Sequence, residues 1–145
     1  MPDQLLLNRS LLHPLHALIL AFPIALFAGA LASDITYLNT AVIQWSNFSA
    51  WMIAAALLFG GIALAWGLVL LVGQRSRRWR GRLALYVAPL AVMWAAGLIN
   101  AFHHSRDGWS AVGTTGLLLS IVSTVLALAA GWIAYSGVGG REIGR

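Results

Sequence analysis

Cysteine and lysine are both missing from the 145 residues, and acidic side chains number only four. Without thiols there can be no disulfide, no thiolate nucleophile and no cysteine-held zinc or iron–sulfur cluster, so any chemistry falls to histidine and carboxylate groups. Charged residues make up 9% of the chain and hydrophobic ones 60%, against about 25% charged in soluble domains. That balance excludes a water-soluble globule. Most of the length is needed to cross a bilayer, which leaves no room for a separate soluble catalytic domain and predicts one integral domain. There is also no phosphate-cradling glycine loop, no nucleophile elbow, no HExxH motif and no pair of membrane carboxylates suited to a proton relay.

What is present is apolar length. Four segments, at about residues 12–33, 48–72, 83–103 and 112–135, each approach the roughly 20 residues that a helix needs to span hydrocarbon. They lack the period-two alternation of barrel strands, and four strands cannot close a transmembrane barrel. The expected fold is an all-α, integral membrane four-helix bundle, up-down-up-down, over residues 13–136. Residues 1–12, with leucines among polar side chains, suit a short interfacial segment, and residues 137–145 form a tail. A signal peptide is the rival for the first segment, because Arg9 precedes a run ending Ala30-Leu31-Ala32. The run exceeds the roughly 7 to 15 residues of a signal core, which favours a retained helix.

All nine basic residues are arginine. Arg75, Arg77, Arg78, Arg80 and Arg82 fall in one short connection between the second and third apolar runs, the pattern of a cytoplasmic loop. Arg9, Arg141 and Arg145 then lie on the same side, leaving Arg106 alone on the other, so both termini are expected in the cytoplasm of a bacterial inner membrane. Anionic lipid headgroups are natural partners for the cluster, whereas nucleic acid is not expected, since no base-stacking array accompanies it. Tyr37, Trp45, Trp51 and Trp109 mark one interface; Trp79, Tyr86, Trp132 and Tyr135 mark the other. Trp66 and Trp94 lie deeper and are expected between helices.

Small residues four apart predict contact faces: Ala25, Gly29 and Ser33; Ala56 and Gly60; Gly97 and Ala101; Gly116, Ser120 and Thr124; Ser123, Ala127 and Gly131. Pro23 and Pro89 fall inside the first and third spans and are expected to kink them.

Ionisable groups in or beside spans are functional candidates by default. They form two sets at opposite faces: His13 and His16 at the start of the first span, and Asn100, His103 and His104 at the end of the third, followed by Arg106 and Asp107 and facing Asp34. Paired histidines in a bundle suggest b-type haem on His13, His16, His103 or His104. The two sets are about 25 Å apart at 1.5 Å per residue, so they cannot share one iron, and bis-histidine ligation would need a homodimer. Asp34, His103 and Asp107 carry donors for a metal. Adjacent His103 and His104 point about 100° apart, so only one of them faces inward. The plainer reading is an interfacial cluster in which Asp34 or Asp107 accepts from Arg106 or a histidine, with His13 and His16 capping a helix start.

These residues resemble the bacterial membrane proteins grouped as domain of unknown function 2231. The resemblance runs nearly full length, through His13-Pro14-Leu15-His16, Phe22-Pro23-Ile24-Ala25-Leu26, Asp34, Asn100, Ser105-Arg106-Asp107, Gly116-Leu117-Leu118-Leu119-Ser120 and Gly131-Trp132. It implies a four-helix inner-membrane protein with no assigned reaction. Some relatives are joined to Rieske-type iron–sulfur domains, which implies redox company, although the present sequence contains no such domain. Ile133-Ala134-Tyr135-Ser136 departs from the glycine-rich run of relatives, so no terminal motif is carried over.

The expected function is that of a non-enzymatic membrane protein acting through partners or as a homo-oligomeric module. A haem-binding protein with a redox partner, using histidines at the two faces, is the alternative. A small transporter or channel ending at Asn100 and Asp34 is the second.

Overall fold

A computed structural model of the chain describes residues 13–106 and 112–136. They form α1 (Pro14–Thr40), α2 (Ile43–Gly73), α3 (Arg77–His104) and α4 (Thr114–Ser136), with no strand among the described residues. All four helices are long and apolar enough to cross a membrane. Each packs on its neighbour in sequence, and α4 closes the ring against α1, so α1 and α3 face each other across one diagonal and α2 and α4 across the other. Contacts between the start of α1 and the ends of α2 and α4 make sequential neighbours antiparallel.

Three helices outrun the apolar segments that mark them. Hydropathy reports the hydrocarbon, whereas a helix continues wherever its backbone and side chains stay satisfied. The Thr36 hydroxyl donates to the Ala32 carbonyl at 2.8 Å and that of Thr40 to Thr36 at 2.7 Å, carrying α1 through its polar end. It stops at Ala41, which takes the left-handed conformation at φ 55° and returns its N–H to Tyr37. At the other end of the bundle α3 begins at Arg77, so four of the five clustered arginines stand on helix and only Arg75 lies in the connection.

The core lies between the two polar ends. Leu20, Phe27 and Ala30 of α1, Ile53, Ala56 and Ala63 of α2, Leu90 and Met93 of α3, and Ala127, Ala130 and Ala134 of α4 are buried. Outward faces are equally apolar, with Leu18, Trp51, Val69, Leu85, Phe102 and Trp132 exposed as lipid requires. Of the expected small-residue faces, Ala56, Gly60, Gly97 and the α4 stripes are buried, whereas Ala25 is exposed. The buried line of α1 runs through Pro23, Phe27, Ala30 and Asp34, with Ser33 of the expected face buried beside it and Gly29 close to Met52. Trp94 packs between helices as expected and donates to the Leu57 carbonyl at 3.0 Å.

Candidate functional site

Each helix contributes to one buried polar centre. Asp34 stands on α1, Ser49 on α2, Asn100 and His104 on α3, and Ser120 on α4. Asn100 and His104 are four apart and so share a face of α3. Asp34 lies six residues before the end of α1, about 9 Å in at 1.5 Å per residue, so the centre sits just below the α1–α2 connection.

Hydrogen bonding fixes the direction of three of the five links. The Asn100 carbonyl can only accept, so His104 Nδ1 donates to it at 3.1 Å. His104 Nε2 is 2.9 Å from Asp34 Oδ1, and the Ser49 hydroxyl lies 3.2 Å from the same nitrogen. On the far side, Asn100 Nδ2 donates to Ser120 Oγ at 2.8 Å, and Ser120 donates to Asp34 Oδ2. With Nδ1 already protonated, the Asp34–His104 contact holds one further proton between two atoms that would otherwise both be acceptors. As imidazolium and carboxylate, or as imidazole and acid, the pair is neutral overall. That neutrality is what makes it tolerable where an isolated charge costs about 3 kcal/mol or more. Chemically the centre can hold a proton and lock four helices together. Asn100 Oδ1 is its one side-chain acceptor left without a partner.

A second, smaller polar contact occupies the arginine end. His16 Nε2 and the Tyr86 hydroxyl are 2.7 Å apart, tying α1 to α3, and the Tyr135 hydroxyl donates to the Ala17 carbonyl at 2.7 Å, tying α4 to α1. Trp66 of α2 sets its ring edge-on to His16 at 5.2 Å and stacks with His13 at 6.1 Å. His13 Nδ1 accepts the Leu15 N–H at 3.2 Å, so this histidine caps α1. Because His16 Nδ1 is buried without a partner, Tyr86→Phe would leave neither ring nitrogen bonded. It should lower stability by about 1–3 kcal/mol in a detergent-based unfolding titration. A loss near zero would mean that His16 finds another partner.

The family model described as a predicted membrane protein, DUF2231, matches residues 12–138. The chain belongs to that family. Both polar sets lie inside the matched stretch, so they are part of the family domain and not an appendage to it. No curated protein and no solved structure matches the chain.

Of the residues singled out from sequence, Asp34, Asn100 and His104 come together. His103 is half-buried, with His104 and not His103 bonded to Asp34, Arg106 is exposed, and Asp107 lies outside the described residues. No three histidine or acidic side chains converge on a metal position among the described residues. His16 stands about 27 Å from Asp34, counting 18 residues of α1 at about 1.5 Å each, and His13 lies farther still at the helix cap. Leu20, Phe27 and Ala30 fill the interval on α1. The sequence pattern marks Ser120 and Tyr86 only as packing and interface residues, and it does not mark Ser49 at all. The signal that links them is a hydroxyl at a buried phase of the helix opposite a lone carboxylate or imidazole, which needs the helix pairing to be known.

Proposed function

We propose that the chain is a non-enzymatic module of the bacterial inner membrane that acts through partner proteins or by self-association. The observation that carries this is the arrangement of the Asp34 centre. Its hydrogen bonds join α1, α2, α3 and α4 to one another, which is what a rigid scaffold requires. In the proposed orientation both termini and the arginine end face the cytoplasm. Reporter fusions at either terminus should then be active only in the cytoplasm, and an externally active fusion would reverse the orientation.

The module reading is tested by extracting the chain directly from membranes into lipid nanodiscs and weighing the particles. A homodimer or a complex of defined stoichiometry is expected. A monomer under every extraction condition would overturn the reading. The haem alternative is tested on the same sample. His104 uses both ring nitrogens, so a haem ligated without breaking these bonds would fall to His13, to His103 or to Nδ1 of His16, whose Nε2 is held by Tyr86. A Soret band lost in His13→Ala, His16→Ala or His103→Ala would replace the module reading with the redox one.

A further inference from the structure

Residues 77–82 are helical, and although arginine by itself is a good helix former, its placement here is unfavourable. Arg77 and Arg80 are three apart and Arg78 and Arg82 four apart, so like charges face each other along the helix. All four stand at the helix start, where the backbone dipole already disfavours cations. No acidic residue occupies the first turn, Ser76 makes no side-chain cap, and Gly81 adds the entropic cost of glycine inside a helix. Where local preferences are broken together, a compensating interaction is expected.

The chain supplies no acidic partner for these arginines among its described residues. Its acidic groups there amount to Asp34, which is buried against His104 at the opposite end. Arg75, Arg77, Arg78, Arg80 and Arg82 are all exposed, and the one aromatic contact is Arg82 with Trp79, 5.4 Å from the ring centre. At about 100° per residue, Arg80, Arg77, Arg78 and Arg82 follow one another around an arc of the helix. Leu83 and Tyr86, which are buried, and half-buried Trp79 fill the remainder. The arginines therefore form a collar on the side turned away from the bundle, at the end of a helix able to cross the membrane.

We propose that this arginine collar is a binding surface for anionic phospholipid headgroups, and that these headgroups hold the first turns of α3 in helical form. Guanidinium groups match phosphate in charge and in paired donor geometry. Basic residues beside a membrane gain from an anionic surface within a Debye length. Because the arginines are spread over an arc and not gathered in a pocket, several headgroups share the collar.

The test places the full chain in nanodiscs of pure phosphatidylcholine and in nanodiscs of equal parts phosphatidylcholine and phosphatidylglycerol, and follows amide hydrogen exchange. Exchange over residues 77–82 should slow by about tenfold or more in the anionic discs, while the centre of α4 stays unchanged. High salt should erase the difference. Arg77→Gln with Arg78→Gln should shrink it, and Arg106→Gln at the other end should not. Equal exchange in the two lipids overturns the proposal without recourse to any variant. Inorganic phosphate added to the phosphatidylcholine discs should not reproduce the protection; full protection by phosphate would overturn the assignment to lipid.

Discussion

His104→Ala is expected to destabilise the bundle more than any other single substitution at the Asp34 centre. It leaves Asp34 buried with the Ser120 hydroxyl as its remaining donor, and removing one partner of a buried pair costs about 3–5 kcal/mol. Asp34→Asn should be milder. The amide oxygen can still accept from Ser120, its NH2 group can donate to the neutral Nε2 of His104, and Nδ1 keeps its bond to the Asn100 carbonyl. That exchange of a charge-assisted bond for a neutral one is worth about 1–2 kcal/mol. The pair Asp34→Leu with His104→Leu completes the argument. It removes the charge with its partner, so its loss should fall short of the sum of the single losses, a coupling readable in a double-mutant cycle. Denaturant titration in mixed micelles measures all of these. Equal losses for His104→Ala and Asp34→Asn would mean that no charge develops at the centre.

How far the sequence revealed this centre depends on which property is asked. Span number and order were legible, because apolar runs near the thickness of a bilayer are rare in any chain that does not cross one. Asp34, Asn100 and His104 were legible singly, as costly polar groups beside lipid. Their pairing was not. In water a helix shows its buried face by its apolar stripe, but in lipid the outward face is apolar as well: Leu85, Val92, Ile99 and Phe102 of α3 are exposed beside buried Leu90 and Met93. Hydropathy therefore carries no phase, and the angle between His103 and His104 says that one of them turns inward without saying which. Phase is carried by the small and polar residues Gly97, Asn100 and His104, which fall on one buried line. The same limit explains α1, where Ala25 has the spacing of a contact face but is exposed, although Gly29 in the same row packs closely on Met52. Helix length was also out of reach, since the Thr36 and Thr40 bonds and the arginine turns lie outside the hydrocarbon signal.

A close approach between α1 and α3 gives the second large effect. Phe27 is fully buried on α1 and reaches across the diagonal to Gly97 of α3. A Cβ at Gly97 would lie 2.6 Å from Phe27 Cζ, 3.0 Å from Cε1 and 3.2 Å from Leu57 Cδ2. The ring has little freedom to withdraw, because the Phe27 carbonyl accepts the Thr124 hydroxyl at 3.0 Å and pins its backbone to α4. Gly97→Ala should thus lower stability by about 1–3 kcal/mol, and Gly97→Leu by the upper part of that range or beyond. Lipid sharpens the test. A side chain moved from the bundle core to acyl chains loses packing but no hydrophobic transfer energy, so the overpacking has nothing to offset it. Phe27→Leu shortens the ring side and should recover part of the loss in the Gly97→Ala background. Gly29 is the control. A Cβ there would meet Met52 Sδ at 2.8 Å, almost as close, but methionine is flexible and can swing aside. Gly29→Ala should therefore cost well under the Gly97→Ala value in the same denaturant titration. Equal losses would show that helix proximity alone, and not the rigidity of the Phe27 ring, sets the penalty.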